Sequence, residues 1–169
     1  MTIVDVVDDD ITRINADGLV TTINSGGAWF GGLDRAIQRT SGLMFHAQAR
    51  AAMPLTDGAV VYAPERGPHG GKFDSVLFVV DDLRVPLYSL VTSALEAAEQ
   101  IGLKSVSIPT IRTGVMAGIR ESRNEAIAEL ARAINDFVES SIKLDKINVV
   151  VYRNKCDKAR LRLACGTSR

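Results

Sequence analysis

Residues 19–34 read LVTTINSGGAWFGGLD and run on into RAIQRTSG, residues 35–42. The first part is β-branched and suits an extended chain, and the glycines that follow break it. From Leu33 onward the apolar side chains recur at helical spacing until Gly42, a residue suited to ending a helix. Strand, glycine-rich loop and helix in that order form the building unit of a layered α/β domain. Residues 105–118, SVSIPTIRTGVMAG, follow the same order: a short apolar strand, then a second glycine-bearing loop.

Strands are predicted at residues 3–7, 18–23, 59–62, 76–80, 105–108 and 147–152. Several, such as VLFVV and INVVVY, are continuous apolar runs, the pattern of strands covered on both faces. Leu87, Leu90, Val91, Ala94, Leu95, Ala98 and Ile101 recur at three- and four-residue steps, as do Ile127, Leu130, Ala131, Ile134, Phe137 and Val138, which predicts two amphipathic helices. A third is read at residues 33–41, and a weaker Ala-rich one at 43–52, ahead of Pro54. Because both glycine-rich loops, 24–32 and 111–118, join a strand to a helix, they belong at the C-terminal edge of one sheet, where α/β sheets hold ligands. Glycine permits close backbone approach and a helix N-terminus adds partial positive charge, so phosphate or pyrophosphate is the expected guest. Tight turns with no ligand are the other reading of the same glycines.

Composition narrows the function classes. The chain has 169 residues, 46% hydrophobic and 24% charged, enough for one domain to bury a core without disulfides or a structural metal, which argues against disorder. Its 20 Lys+Arg balance 20 Asp+Glu, so no global positive field favours nonspecific nucleic-acid binding, and an anion must be held locally. Cys156 and Cys165 form no CxxC, and His46 and His69 lie in unrelated segments, so no metal is expected and no cofactor is implied. The opening MTIVDVVDDD lacks the features of a signal peptide, and no apolar run approaches the roughly 18 residues of a membrane span. A cytoplasmic protein with reduced thiols and no membrane partner is expected.

Three features resemble sites and are read as something simpler. Residues 67–73, GPHGGKF, fall one residue short of a P-loop and put Phe73 where a Mg²⁺-binding hydroxyl belongs. Asp8, Asp9 and Asp10 read as a solvated turn, since consecutive carboxylates splay apart. Beyond a main unit of residues 1–152, residues 153–169 carry Arg153, Lys155, Lys158, Arg160, Arg162 and Arg169 against Asp157. This basic segment is read as a solvated terminus packed on or trailing from the domain, with nucleic acid or an acidic partner as the alternative.

Asp10-Ile11-Thr12, the strand GLVTTIN ending at Asn24, the quartet Gly31-Gly32-Leu33-Asp34, the helix AIQRTSG and the late IPTIRTGVMAG occur in that order over nearly the whole chain. The ordered set resembles the macro domain family, in which D-I-T precedes V-N-A-A-N, a G-G-V-D loop leads into A-I-H-x-A-A-G, and an I-P-x-x-x-T-G-x-[YF]-G loop follows a later strand. The resemblance implies a three-layer α/β/α sandwich around a mixed, mostly parallel sheet of about six strands. It also implies a cleft that binds ADP-ribose, free or attached to a macromolecule.

Residue by residue, the resemblance implies that Asp10 accepts a hydrogen bond from the adenine exocyclic amine, with Ile11 beside it. Gly31, Gly32 and Leu33 become a first backbone cradle for phosphate, and Thr113, Gly114, Val115 and Met116 a second. Asn24 would bond the distal ribose, and Asp34 would orient or deprotonate a water near the anomeric carbon. Arg112, where the family has a small residue, would either add a charge-assisted phosphate contact or point into water. Trp29 and Phe30 would either line the cleft or plug it. Thr21, Gln38, Phe30, Met116 and Ala117 depart from the family pattern, and Met116 replaces an aromatic that packs on the distal ribose. ADP-ribose binding is therefore the leading expectation. An ADP-ribosyl hydrolase or O-acyl-ADP-ribose deacylase using Asn24 and Asp34 comes second, and an interaction module using the basic C-terminal segment third.

Overall fold

Successive residues of the strand Phe73–Val80 face two different cores: Leu77 and Val79 join one apolar cluster, Val76, Phe78 and Val80 the other. A strand buried on both faces requires a layer of helices on each side, and the chain supplies them. The computed structural model describes residues 1–28 and 31–167; Trp29, Phe30 and Arg169 lie outside the described residues. In chain order the elements are β1 (Ile3–Asp8), a 3₁₀ turn (Ile11–Arg13), β2 (Ala16–Ile23), α1 (Gly32–Ser41), α2 (Met44–Ala51), β3 (Val60–Pro64) and β4 (Phe73–Val80). They continue with α3 (Leu87–Ile101), β5 (Ser105–Pro109), α4 (Arg123–Ser140), β6 (Lys146–Val151) and α5 (Lys155–Ala164). The six strands form one sheet in the order β1-β6-β5-β2-β4-β3, parallel throughout except for β3, which runs antiparallel to β4 at the edge. Helices α3, α4 and α5 cover one face through Leu90, Leu130 and Leu161; α1 and α2 cover the other through Ile37 and Phe45. This is the layered α/β domain read from periodicity, in the three-layer form with a mixed sheet that the macro domain resemblance implies.

Helix α4 begins earlier than its apolar spacing indicates, at Arg123, because Ser122 and Glu125 form a reciprocal capping box. Helix α5 is started by Asn154, whose side chain accepts the Asp157 N–H, and is seated by the buried Leu161. Among the described residues no helix is long and apolar enough to cross a membrane.

The loops after β2 and β5 are held by hydrogen bonds to neighbouring turns and carboxylates. In the first, the Asn24 backbone exchanges bonds with Ala28 and Gly27, and the Asn24 side-chain oxygen accepts the Ala28 N–H at 2.8 Å. Ser25 N–H donates to Asp82 just beyond β4 at 2.9 Å. Bonds from the Ser25 backbone and hydroxyl hold the Asp82 carboxyl below its usual pKa. The loop ends on Gly31 at φ +110°, a conformation L side chains rarely adopt. In the second loop, Arg112 has φ +60° and is 6% exposed. Its guanidinium grips Asp81 bidentately at 2.7 and 2.9 Å, donates to the Val85 carbonyl at 2.8 Å and reaches Glu121 at 3.1 Å. Burial alone would lower its pKa, but the bonds and charges of Asp81 and Glu121 outweigh that and raise it. Arg123 completes the bracing by donating to the Thr113 carbonyl and to Asp157 of α5.

Removing one partner of a buried ion pair strands the other, so Arg112→Leu should destabilise the fold by about 3–5 kcal/mol. The double variant Arg112→Leu/Asp81→Asn should lose less than the single one. Urea unfolding midpoints check both; a single variant that unfolds at the wild-type midpoint would show that the clamp bears no load.

Candidate functional site

Parallel strands end at a common edge, so β1, β6, β5 and β2 deliver their C-terminal loops side by side. A cleft of about 510 Å³ opens there. One end is lined by Asp9, Asp10, Ile11 and Tyr152, the middle by residues 31–33 and 113–116, and the β2 end by Thr21, Thr22 and Asp34. From β1 to β2 is three strand spacings, about 14 Å, so the cleft suits a long ligand with distinct ends.

At the β1 end, Asp10 caps the 3₁₀ turn: its Oδ1 accepts the Thr12 N–H at 3.0 Å and the Thr12 hydroxyl at 2.8 Å. No described residue bonds Oδ2, which leaves an acceptor for a ligand. The three consecutive aspartates work separately, since Asp8 accepts from Arg153 N–H and Asp9 from Asp10 N–H. Tyr152, 62% exposed, follows β6 directly and carries the Arg153 guanidinium 5.0 Å from its ring centroid.

In the middle, the two loops approach each other. A Cβ added at Gly31 would meet Val115 Cγ2 at 3.1 Å, whereas one added at Gly32 or Gly114 would meet nothing within 4 Å among the described residues. Helix α1 opens with no side-chain cap, and its first N–H groups have no intrahelical acceptor. Across from it, the N–H groups of Gly114, Val115 and Met116 have no acceptor among the described residues. Two rows of donors, unclaimed among the described residues, flank one space, and the α1 dipole adds positive potential.

At the β2 end, Asp34 is 2% exposed. Its Oδ1 lies 3.4 Å from the Thr21 hydroxyl and 3.3 Å from His46 Nε2. Among the described residues no group of three or more His, Cys, Asp or Glu side chains is arranged to hold a metal ion.

Asp10, Ile11, Gly31, Gly32, Leu33, Asp34, Thr113, Gly114, Val115 and Met116 all line the cleft. Asn24 does not: its side-chain oxygen is spent on Ala28 within its own turn. Arg112 reaches the cleft lining, but its guanidinium is bound to Asp81, Glu121 and Val85 and faces neither phosphate nor water, because burial beside two carboxylates outcompetes both. The GPHGGKF stretch precedes β4 at the opposite edge, where His69 and Lys72 line a separate, more open pocket. Sequence reasoning missed Tyr152 and His46. The first was signalled by its place at the end of a parallel strand beside β1, the second by a polar residue among the buried Phe45 and Ala49 of α2.

No protein-family profile matches the chain. An uncharacterized protein of Thermotoga maritima is 30% identical over 151 residues, and the match takes in 79% of this chain but only 23% of that longer protein. The O-acetyl-ADP-ribose deacetylase 2 of Pantoea vagans is 29% identical over 156 residues, covering 87% of this chain and 90% of that protein. The Trypanosoma brucei macrodomain solved in complex with ADP-ribose aligns with a TM-score of 0.79 at 19% identity, over 96% of this chain and 68% of that one. With strand order, layers and cleft edge already described, the agreement is one of architecture: in fold, the chain is a macro domain.

Proposed function

We propose that the cleft binds ADP-ribose, free or attached to a macromolecule. The observation that carries this reading is the pair of N–H rows lining one cleft, Gly32–Leu33 and Gly114–Met116, set between an acidic, aromatic end and an end with a buried carboxylate. Backbone donors suit a diphosphate, which a neutral protein can then hold without a lysine cluster. The free Asp10 oxygen and the Tyr152 ring suit an adenine, one accepting from its exocyclic amine and the other stacking on it. The reading is supported by the ADP-ribose held in the Trypanosoma macrodomain. A cytoplasmic location is part of the same proposal, as a compartment in which the free Cys156 and Cys165 would stay reduced.

The burial of Asp34 at the β2 end favours a second reading, supported by the deacetylase name of the Pantoea relative: slow hydrolysis of an ester on the distal ribose. Asp34 is the group on which it depends. Asn24, spent on its turn, is left to shape the loop. A carboxylate fixed at one oxygen orients a water or ribose hydroxyl through the other.

Gly32 has room for a side chain among the described residues and an ordinary φ, so Gly32→Glu should fold normally, yet put a carboxylate where the diphosphate would sit. Calorimetric titration should show ADP-ribose affinity falling at least about a hundredfold, a loss of roughly 2.7 kcal/mol. Lys72→Ala, at the opposite edge, should bind as wild type does; equal losses in the two variants would move the site. For the second reading, Asp34→Ala should abolish turnover of an O-acyl-ADP-ribose while leaving ADP-ribose affinity within about tenfold. Turnover that survives Asp34→Ala would assign the chemistry to another group.

A further inference from the structure

His46 sits on α2, wholly buried at 0% exposure, with its ring edge-on to Phe78 and the ring centroids 5.1 Å apart. Phe45 and Ala49 beside it on the helix are core residues. A polar ring in such surroundings is costly unless it is satisfied, and what it meets is the cleft carboxylate Asp34, twelve residues away in sequence. A carboxylate oxygen accepts, so the Thr21 hydroxyl donates to it, as does His46 in the tautomer that carries its proton on Nε2. Both donate to the same atom, Oδ1, at 3.3 and 3.4 Å. No described residue bonds Oδ2. A carboxylate pinned through one oxygen from two directions cannot rotate freely about its terminal torsion, which is otherwise broad.

We propose that His46 is a positioning residue for recognition of the distal ribose: with Thr21 it fixes Asp34 Oδ1 and thereby presents Oδ2 to the ribose hydroxyls. This rests on the ADP-ribose reading of the cleft. ADP lacks the distal ribose and shares the rest of the ligand, so His46 should affect ADP-ribose and leave ADP alone.

Calorimetric titration of ADP-ribose and of ADP into wild type, His46→Phe, His46→Gln and Thr21→Val tests this. Phe keeps the packing and removes the donor, and should weaken ADP-ribose binding about three- to tenfold, the effect of one lost hydrogen bond, with ADP affinity within about twofold of wild type. Gln restores an N–H donor near the Nε2 position and should recover most of the ADP-ribose affinity. Thr21→Val, of similar shape, removes the other donor to the same oxygen and should give a loss of the same kind; it decides the matter if His46→Phe does not fold. Unchanged ADP-ribose affinity in the folded variants, or equal weakening of both ligands, overturns the inference. Wild type that binds ADP-ribose no more tightly than ADP overturns it alone. Wild type that binds neither overturns the reading of the cleft and the inference together.

Discussion

Strands β2 and β5 lie side by side and parallel, Gly18 opposite Val106 and Leu19 opposite Ser107, and this pairing sets the geometry of the cleft. It makes the two loops that follow them neighbours, although one begins at residue 24 and the other at residue 110. A loop facing the opposite edge would have its N–H groups on the wrong side of the sheet. The order β1-β6-β5-β2 then spaces the acidic Asp10 turn and the Asp34 carboxylate at opposite ends, with the donors between them. The depth of the core follows from the same arrangement, since a parallel sheet must be covered on both faces.

The charges of the chain sum to zero, and of the three arginines that line the cleft, Arg39, Arg112 and Arg123, the last two are committed to carboxylates. Arg112 is clamped by Asp81 and Glu121, and Arg123 is shared between Asp157 and the Thr113 carbonyl. These side chains hold the second loop in shape while the N–H groups of Gly114, Val115 and Met116 have no acceptor among the described residues. A buried ion pair contributes little net stability, since desolvation offsets much of its attraction. What it supplies is position. Preorganised donors lose little entropy when an anion arrives.

Much of the fold was readable because its strands are apolar runs and its two longest helices have clean periodicity. All six predicted strands overlap observed ones, and the glycine-rich loops lie at one edge as their strand-to-helix placement requires. The start of α4 escaped because its signal is a polar capping pair, Ser122 and Glu125, outside the apolar pattern. Helix α5 carries mainly charged residues around one buried leucine, Leu161, so its composition announces charge more clearly than structure. In the site, the placement of the two loops along the cleft could be read from glycines. The partners of its side chains could not: Arg112 finds Asp81 thirty-one residues away, His46 finds Asp34 across two helices, and Asn24 bonds its own turn. Those choices depend on burial, which a linear pattern does not carry.

The central claim is that backbone N–H groups on the two loops hold a diphosphate. The most direct measurement is an amide ¹⁵N–¹H titration with ADP-ribose, compared with the same titration by ADP. Both ligands should shift the amide signals of Gly32, Leu33, Gly114, Val115 and Met116 strongly downfield, as new charge-assisted hydrogen bonds do, while Lys72 and the α5 amides stay in place. Shifts concentrated at Lys72 and His69 or along α5, with the two loops unmoved, would contradict the account.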